Sequence, residues 1–311
     1  MQVLTTRSPS HALAGLVLCW IASWLGSVYW AFDLLSHFQI YFIAAGFVLV
    51  LSSLWMRQTL SALFASAFCL IAIIGMVFFI PVHNASKDCA QAEYKVVSFN
   101  VHSANARKDD VVRFLQDQNP DIIALYEIDS AWISALQALD TNYPHRIVRP
   151  SEDNFGIGVW SRHELKDPAI EFSPLGIPSI HALIGTSADA PMLFAIHPLP
   201  PINSFASADR NTVLQAVGDA MGQDSQRTQI VVGDFNATAW SWPLRNIIRQ
   251  QGLESLWPYA WSGTWPSPIR HIGIPIDHAL GRHVACASGE VAADLGSDHR
   301  PLIIHFSQPS R

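Results

Sequence analysis

Eight polar residues stand at or just past the ends of short apolar runs in the later two-thirds of this 311-residue chain. Asn100 closes YKVVSFN, Glu127 follows IIALY, and His197 follows MLFAI. Asp234 and Asn236 follow IVVG, Asp277 sits between IPI and AL, and Asp298 and His299 precede PLIIHF. Each type can ligate a metal or move a proton. A single Asp or His at a strand end is ordinary cap or turn chemistry. A set of them at successive boundaries converges if the strands open on one edge, where loops commonly carry active sites. The chemistry on offer is binding of a hard divalent cation by oxygen ligands, together with acid–base work by an imidazole beside a carboxylate.

The runs that must position these residues read as alternating strands and helices. YKVVSFN and DIIALYE read as strands, each followed by a helix: KDDVVRFLQDQ, ended by Asn119-Pro120, and SAWISALQAL. Beyond residue 145 the short β-rich runs GIGVWS, HALIGT and PMLFAIH follow. Helices are expected near 206–222 and 243–251, on either side of the strand TQIVVGDFN, with IPIDHAL and PLIIHF as the last strands. The class is α+β. No internal repeat or low-complexity tract is present.

The segments FNVH, YE, HPLPP, GDFN, IDHAL and GSDHRP resemble, in order and spacing, the endonuclease/exonuclease/phosphatase superfamily over residues 94–306. That superfamily includes deoxyribonucleases, apurinic endonucleases, neutral sphingomyelinases and inositol polyphosphate phosphatases. With the apolar N-terminus, the chain looks like a membrane-anchored bacterial branch. The resemblance implies a four-layer α/β/β/α sandwich with its site at one edge, and metal-assisted cleavage of a phosphate ester. It implies Mg²⁺, with Mn²⁺ able to substitute, held by Glu127 with Asn100 and Asp298 in the metal set. It assigns Asp234 to orient or deprotonate the attacking water and Asn236 to hold a phosphate oxygen. His299, paired with Asp277, becomes a cationic donor to the transition state, and His197 a candidate for protonating the leaving group. Three departures lean away from nucleases: Tyr126 where many relatives have Gln, His102 where some have Asp, and GIP rather than a basic residue before Asp277.

Trp240, Trp242, Trp257, Trp261 and Trp265 crowd the stretch from 240 to 265. Two readings stay open: core packing, since Trp carries a large apolar surface, or a substrate loop in SGTWPS with Trp265 and Arg270 facing the leaving group.

Residues 11–32, 38–55 and 61–82 are nearly free of charge, each close to the roughly 20 apolar residues that cross a bilayer. They predict three transmembrane helices in a membrane anchor (1–83), a linker (84–93) and a phosphoesterase domain (94–311). Arg7 and Arg57 place the N-terminus and the second loop in the cytoplasm, and the catalytic domain outside the membrane, the bacterial inner membrane for this branch. Setting aside Arg7, Arg57 and Lys87 leaves 16 of 19 basic residues after residue 88; setting aside Asp33 and Asp88 leaves 23 of 25 acidic ones there. That outer stretch, net acidic by seven, argues against tight binding to bulk nucleic acid. Cys89 and Cys286 are its two cysteines, either a disulfide or two unrelated small residues. The expected function is a membrane-anchored, Mg²⁺-dependent phosphoesterase acting on a phosphomonoester or phosphodiester, with the lipid bilayer as its other partner. The alternatives are an extracytoplasmic nuclease and a non-catalytic headgroup-binding protein on the same fold. Oligomeric state is left open.

Overall fold

The computed structural model describes residues 9–79, 89, 92–224, 226–257, 263–269 and 272–309. Two compact units form: Met1–Ile80 with Ala239–Arg245, and Pro81–Thr238 with Asn246–Arg311.

The first unit holds α1 (Pro9–Ser23), α2 (Trp30–Ser36), α3 (Gln39–Trp55) and α4 (Thr59–Phe78). This differs from three uninterrupted spans. The run 11–32 breaks after Ser23 into turns and restarts as α2, which is bent by 67° from α3. The break has a local cause. Gly26 lies against Asp33, where any Cβ would meet Asp33 Oδ1 at 2.7 Å. The buried Asp33 carboxylate accepts the Trp242 N–H at 2.6 Å, a polar partner that a straight lipid-facing helix would not supply. Helix α4, with 20 residues and mean hydropathy 2.5, is long and apolar enough to cross a membrane alone. The bent pair α2–α3 passes the same test if taken as one span, whereas α1, at 15 residues, is shorter. Small residues let α3 and α4 approach, since a Cβ on Gly46 would run into Cys69 Sγ. Trp240 Nε1–H donates to Met76 O at 3.0 Å within this unit.

In chain order the second unit begins with β1 (Tyr94–Asn100), α5 (Lys108–Gln118), β2 (Ile122–Tyr126), α6 (Ser130–Leu136), β3 (His145–Arg149) and β4 (Ile157–Ser161). It continues with β5 (Leu165–Phe172), β6 (Pro178–Ile184), β7 (Met192–Ile196), α7 (Ser204–Gln223) and β8 (Gln229–Asp234). Helix α8 (Trp242–Gln251), whose first residues belong to the helical unit, leads into β9 (Glu254–Ser255), β10 (Asp277–Arg282), β11 (Cys286–Val291) and β12 (Leu302–Ser307). The strands make two six-stranded sheets, ordered β11-β12-β1-β2-β4-β3 and β5-β6-β7-β8-β10-β9. Each sheet has one parallel pair, β1/β2 or β7/β8, whose crossover is α5 or α7. Strands buried on both faces read as unbroken apolar runs, which is why IIALY and IVVG were legible.

Period-2 alternation sets what reaches the interior. Val97, Phe99, Ile123 and Leu125 pack with α5 and α6 through Val111, Leu115, Trp132 and Leu136. Val96, Ser98, Asn100 and Tyr126 therefore face the other sheet. Tyr126 Oη–H donates across the sandwich to Val232 O at 3.0 Å, so its hydroxyl serves as a strut between the sheets. Cys89 and Cys286 form a disulfide.

Candidate active site

Gly233 explains the tightest approach in the site. A Cβ there would fall 1.9 Å from Ile196 O, so only glycine lets β7 and β8 pair this closely ahead of Asp234. Ile196 is in register with Gly233, and His197 and Asp234 therefore leave the sheet side by side. On the other flank Asp277 is in register with Asp234. Glu127 turns off the end of β2 at φ 61°, in the left-handed region. The GSDH turn, with Gly296 at φ 89°, is fastened to β1 by Ser297 Oγ–H donating to Asn100 O at 2.7 Å.

These elements bring six predicted residues into one buried cluster centred on Asp234. Asp234 Oδ2 accepts Asn100 Nδ2–H at 3.1 Å and faces His197 Nε2 at 3.5 Å and His299 Nε2 at 3.4 Å. Asn100 Nδ2–H also donates to Glu127 Oε1 at 2.9 Å. His299 Nδ1 meets Asp277 Oδ2 at 2.9 Å. Asn236, at φ 47°, donates its N–H to Asp234 Oδ1 at 2.9 Å and its Nδ2–H to Pro198 O at 3.0 Å. Asp298 stands to one side: its Oδ2 accepts Trp265 Nε1–H at 3.1 Å, and its Oδ1 is buried without a hydrogen-bond partner among the described residues. Arg270 lies outside the described residues. Trp257 is core, in keeping with the packing reading, while Trp265 is partly exposed beside Asp298.

Charge follows from this geometry. Burial opposes the His299 charge, but Asp277, Asp234 and Asp298 overcome it and push the imidazole up to about 10. His299 is thus a cation at neutral pH, with both ring nitrogens turned to carboxylates. Burial would raise Asp234, yet the His299 charge, the His197 ring N–H and the Asn236 N–H hold it well below the usual carboxylate range. An ionised carboxylate this depressed orients a water more readily than it captures a proton. Burial pushes Asp277 upward, opposed mainly by His299.

Asp234, Asp277 and His299 offer ligand atoms within 4.8 Å of one another, but His299 already engages both carboxylates. That trio is an ion-paired cluster, with His299 hydrogen-bonded to Asp277 and facing Asp234 across 3.4 Å. The Glu127 carboxylate, steadied by Asn100, suits a hard cation that keeps several waters, and Asp298 Oδ1, which faces His102 Nδ1 at 3.9 Å, is a second oxygen of the right chemistry. Sequence reasoning missed Thr264, whose Oγ1 accepts the N–H groups of Ile276 and Asp277 at 3.2 Å each, and Phe155, whose ring lies 5.5 Å from that of His197. Neither carries a sequence signal beyond a loop composition.

A search of curated protein sequences returns no match. Among solved structures, the chain is similar to a humanized TDP2 from D. rerio at 16% identity and TM-score 0.55, covering 69% of this chain and 99% of that one. It is similar to an AP endonuclease from Archaeoglobus fulgidus at 16% identity and TM-score 0.54, covering 68% and 99%. It is also similar to an endonuclease/exonuclease/phosphatase family protein from Bacteroides thetaiotaomicron at 18% identity and TM-score 0.56, covering 70% and 98%. At these identities the likeness is one of fold. Residues 97–299 match the endonuclease/exonuclease/phosphatase family profile, a span that runs from β1 to His299, and the chain belongs to that family.

Proposed function

We propose that the protein is a membrane-anchored, Mg²⁺-dependent phosphoesterase whose substrate is a lipid-linked phosphate ester outside the cytoplasm. The observation that carries the hydrolase reading is the His299–Asp277 pair aimed at the ionised Asp234, beside the Asn100–Glu127 bond. Glu127, with Asn100 and Asp298, would hold the cation, with Mn²⁺ as a substitute; when bound, it neutralises phosphate charge and stabilises the departing oxygen. Asp234 orients the attacking water. Asn236 holds a phosphate oxygen, and His299 donates a charged hydrogen bond where negative charge develops. His197, turned toward Asp234, is the second imidazole at the reacting phosphorus.

Three features support the membrane and lipid part. The first unit is built of apolar helices. Ile202 and Phe205, 73% and 80% exposed, follow His197 by five and eight residues, and Ile269 and Ile272 are exposed on the Trp265 loop tied to Asp298. The Cys89–Cys286 disulfide fits an oxidising compartment.

The test is turnover by the full chain in lipid nanodiscs against lipid phosphates, nucleotides and single-stranded DNA, with Mg²⁺ and with EDTA. Release of phosphate or phosphoester product from lipid, lost in EDTA and in both Asp234→Ala and His299→Ala, is expected. Preference for DNA would favour the nuclease alternative, and full activity in both variants would sink the site.

A further inference from the structure

Arg210, on α7, is 0% exposed. Its Nη1–H donates to the backbone O of Asn236 at 3.2 Å. Its Nε–H and Nη2–H both donate to Asn211 Oδ1, at 3.1 and 3.0 Å, which fixes the plane of the guanidinium. An arginine stays protonated wherever it is placed. Taking its charge fully out of water is unfavourable, and packing alone would be served by an apolar side chain.

The residue it holds is an unusual one. Asn236 is not glycine, yet its backbone is left-handed at φ 47°. The next carbonyl along, Ala237 O, accepts Nε2–H of the buried His278 at 2.7 Å. The turn after β8 is thus held at consecutive carbonyls, one by a buried cation and the other by an imidazole that burial keeps neutral, down at about 4.

We propose that Arg210 is a positioning residue for Asn236, fixing the turn that presents the Asn236 carboxamide and Asp234 to one phosphate group. The inference rests on the hydrolase reading. Arg210 acts through the Asn236 carbonyl, and its charge lies behind the residue that takes a phosphate oxygen.

The test uses the full chain in detergent, with Arg210→Met, Arg210→Lys, Asn236→Ala and the double variant Arg210→Met/Asn236→Ala. Turnover is followed on the soluble ester bis(p-nitrophenyl) phosphate, and affinity for inorganic phosphate is measured by calorimetry. Arg210→Met is expected to lower kcat by about 10–100-fold, as loss of an orienting partner does, to weaken phosphate, and to change KM less. Lysine restores part of both. In the Asn236→Ala background the Arg210→Met change adds less than about twofold, because residues acting through one another are not additive. If Arg210→Met does not fold, Asn211→Ala, which removes the guanidinium brace, and Arg210→Lys carry the same comparison. Unchanged kcat and phosphate affinity, or an undiminished loss in the Asn236→Ala background, overturns the assignment alone. A wild-type chain that neither hydrolyses the ester nor binds phosphate overturns the hydrolase reading and this assignment together.

Discussion

His299 Nδ1 lies 2.9 Å from Asp277 Oδ2, while its Nε2 faces Asp234 Oδ2 at 3.4 Å, so one imidazole bridges two buried carboxylates. A ring placed this way carries hydrogen on both nitrogens and holds its proton to about 10. Asp277→Asn keeps the shape but removes the charge that fixes tautomer and protonation. Turnover should fall by about 10²–10⁴-fold, in the range seen when an orienting Asp is lost from a catalytic His, with substrate KM little changed. A pH–rate profile separates this from misfolding: the variant should gain a limb near neutral pH, where its imidazole now titrates. A loss of activity with an unaltered profile would count against the pair as a charge device.

Asn100 uses one amide group to steady two carboxylates, Glu127 at 2.9 Å and Asp234 at 3.1 Å. Asn100→Ala leaves Glu127 free to reorient. The Mg²⁺ concentration for half-maximal activity should then rise by about 10–100-fold, as it does when groups orienting a metal ligand are removed. EDTA should abolish turnover in both proteins, and Mg²⁺ or Mn²⁺ should restore it. A Mg²⁺ titration curve identical to wild type would take this pair out of the metal site.

His278 offers a stability test free of substrate. Burial holds it near 4 in the folded chain, below the roughly 6.5 of an exposed imidazole. The folded value is the lower one, so the unfolded chain takes up the proton first as pH falls. The stabilisation is fully present above about pH 6.5 and is lost progressively down to pH 4, amounting to roughly 3 kcal/mol. Urea midpoints at pH 7 and pH 4.5 should therefore separate more widely for wild type than for His278→Asn. Equal separations would place the acid sensitivity elsewhere.

What was legible in the sequence divides along a physical line. Strands buried on both faces, such as β2 and β8, announce themselves as apolar runs, and the site residues at their ends were found with them. The strands that escaped notice, β3, β5, β9 and β11, are the four sheet edges. β5 shows why: it is mostly exposed, contains Pro168, and is bulged between Lys166 and Ala169. The helical break in the N-terminal unit was hidden because hydropathy averages over Gly26, inside the predicted span 11–32, and does not show its packing against Asp33 beyond the end of that span. Arg210 was invisible for a related reason. A lone basic residue on a polar helix reads as solvated surface, and only the fold turns it inward.

The substrate reading is open to a test through residues remote from the chemistry. Pro198 O is bonded to Asn236, so the Pro-rich segment starts at the site and carries Ile202 and Phe205 out to solvent. Apolar side chains this exposed on an otherwise acidic domain suit contact with acyl chains. Seating Phe205 in lipid would remove most of its surface from water, a gain of about 1.5–3 kcal/mol, equivalent to roughly 10–100-fold in kcat/KM. Ile202→Ser and Phe205→Ser should each lower kcat/KM on a vesicle-embedded phosphate ester toward that extent, and leave bis(p-nitrophenyl) phosphate hydrolysis as in wild type. Equal losses on both substrates would mean that the substitutions disturb α7 and the site beneath it. No loss on either would leave the phosphoesterase intact and remove these two side chains from lipid recognition.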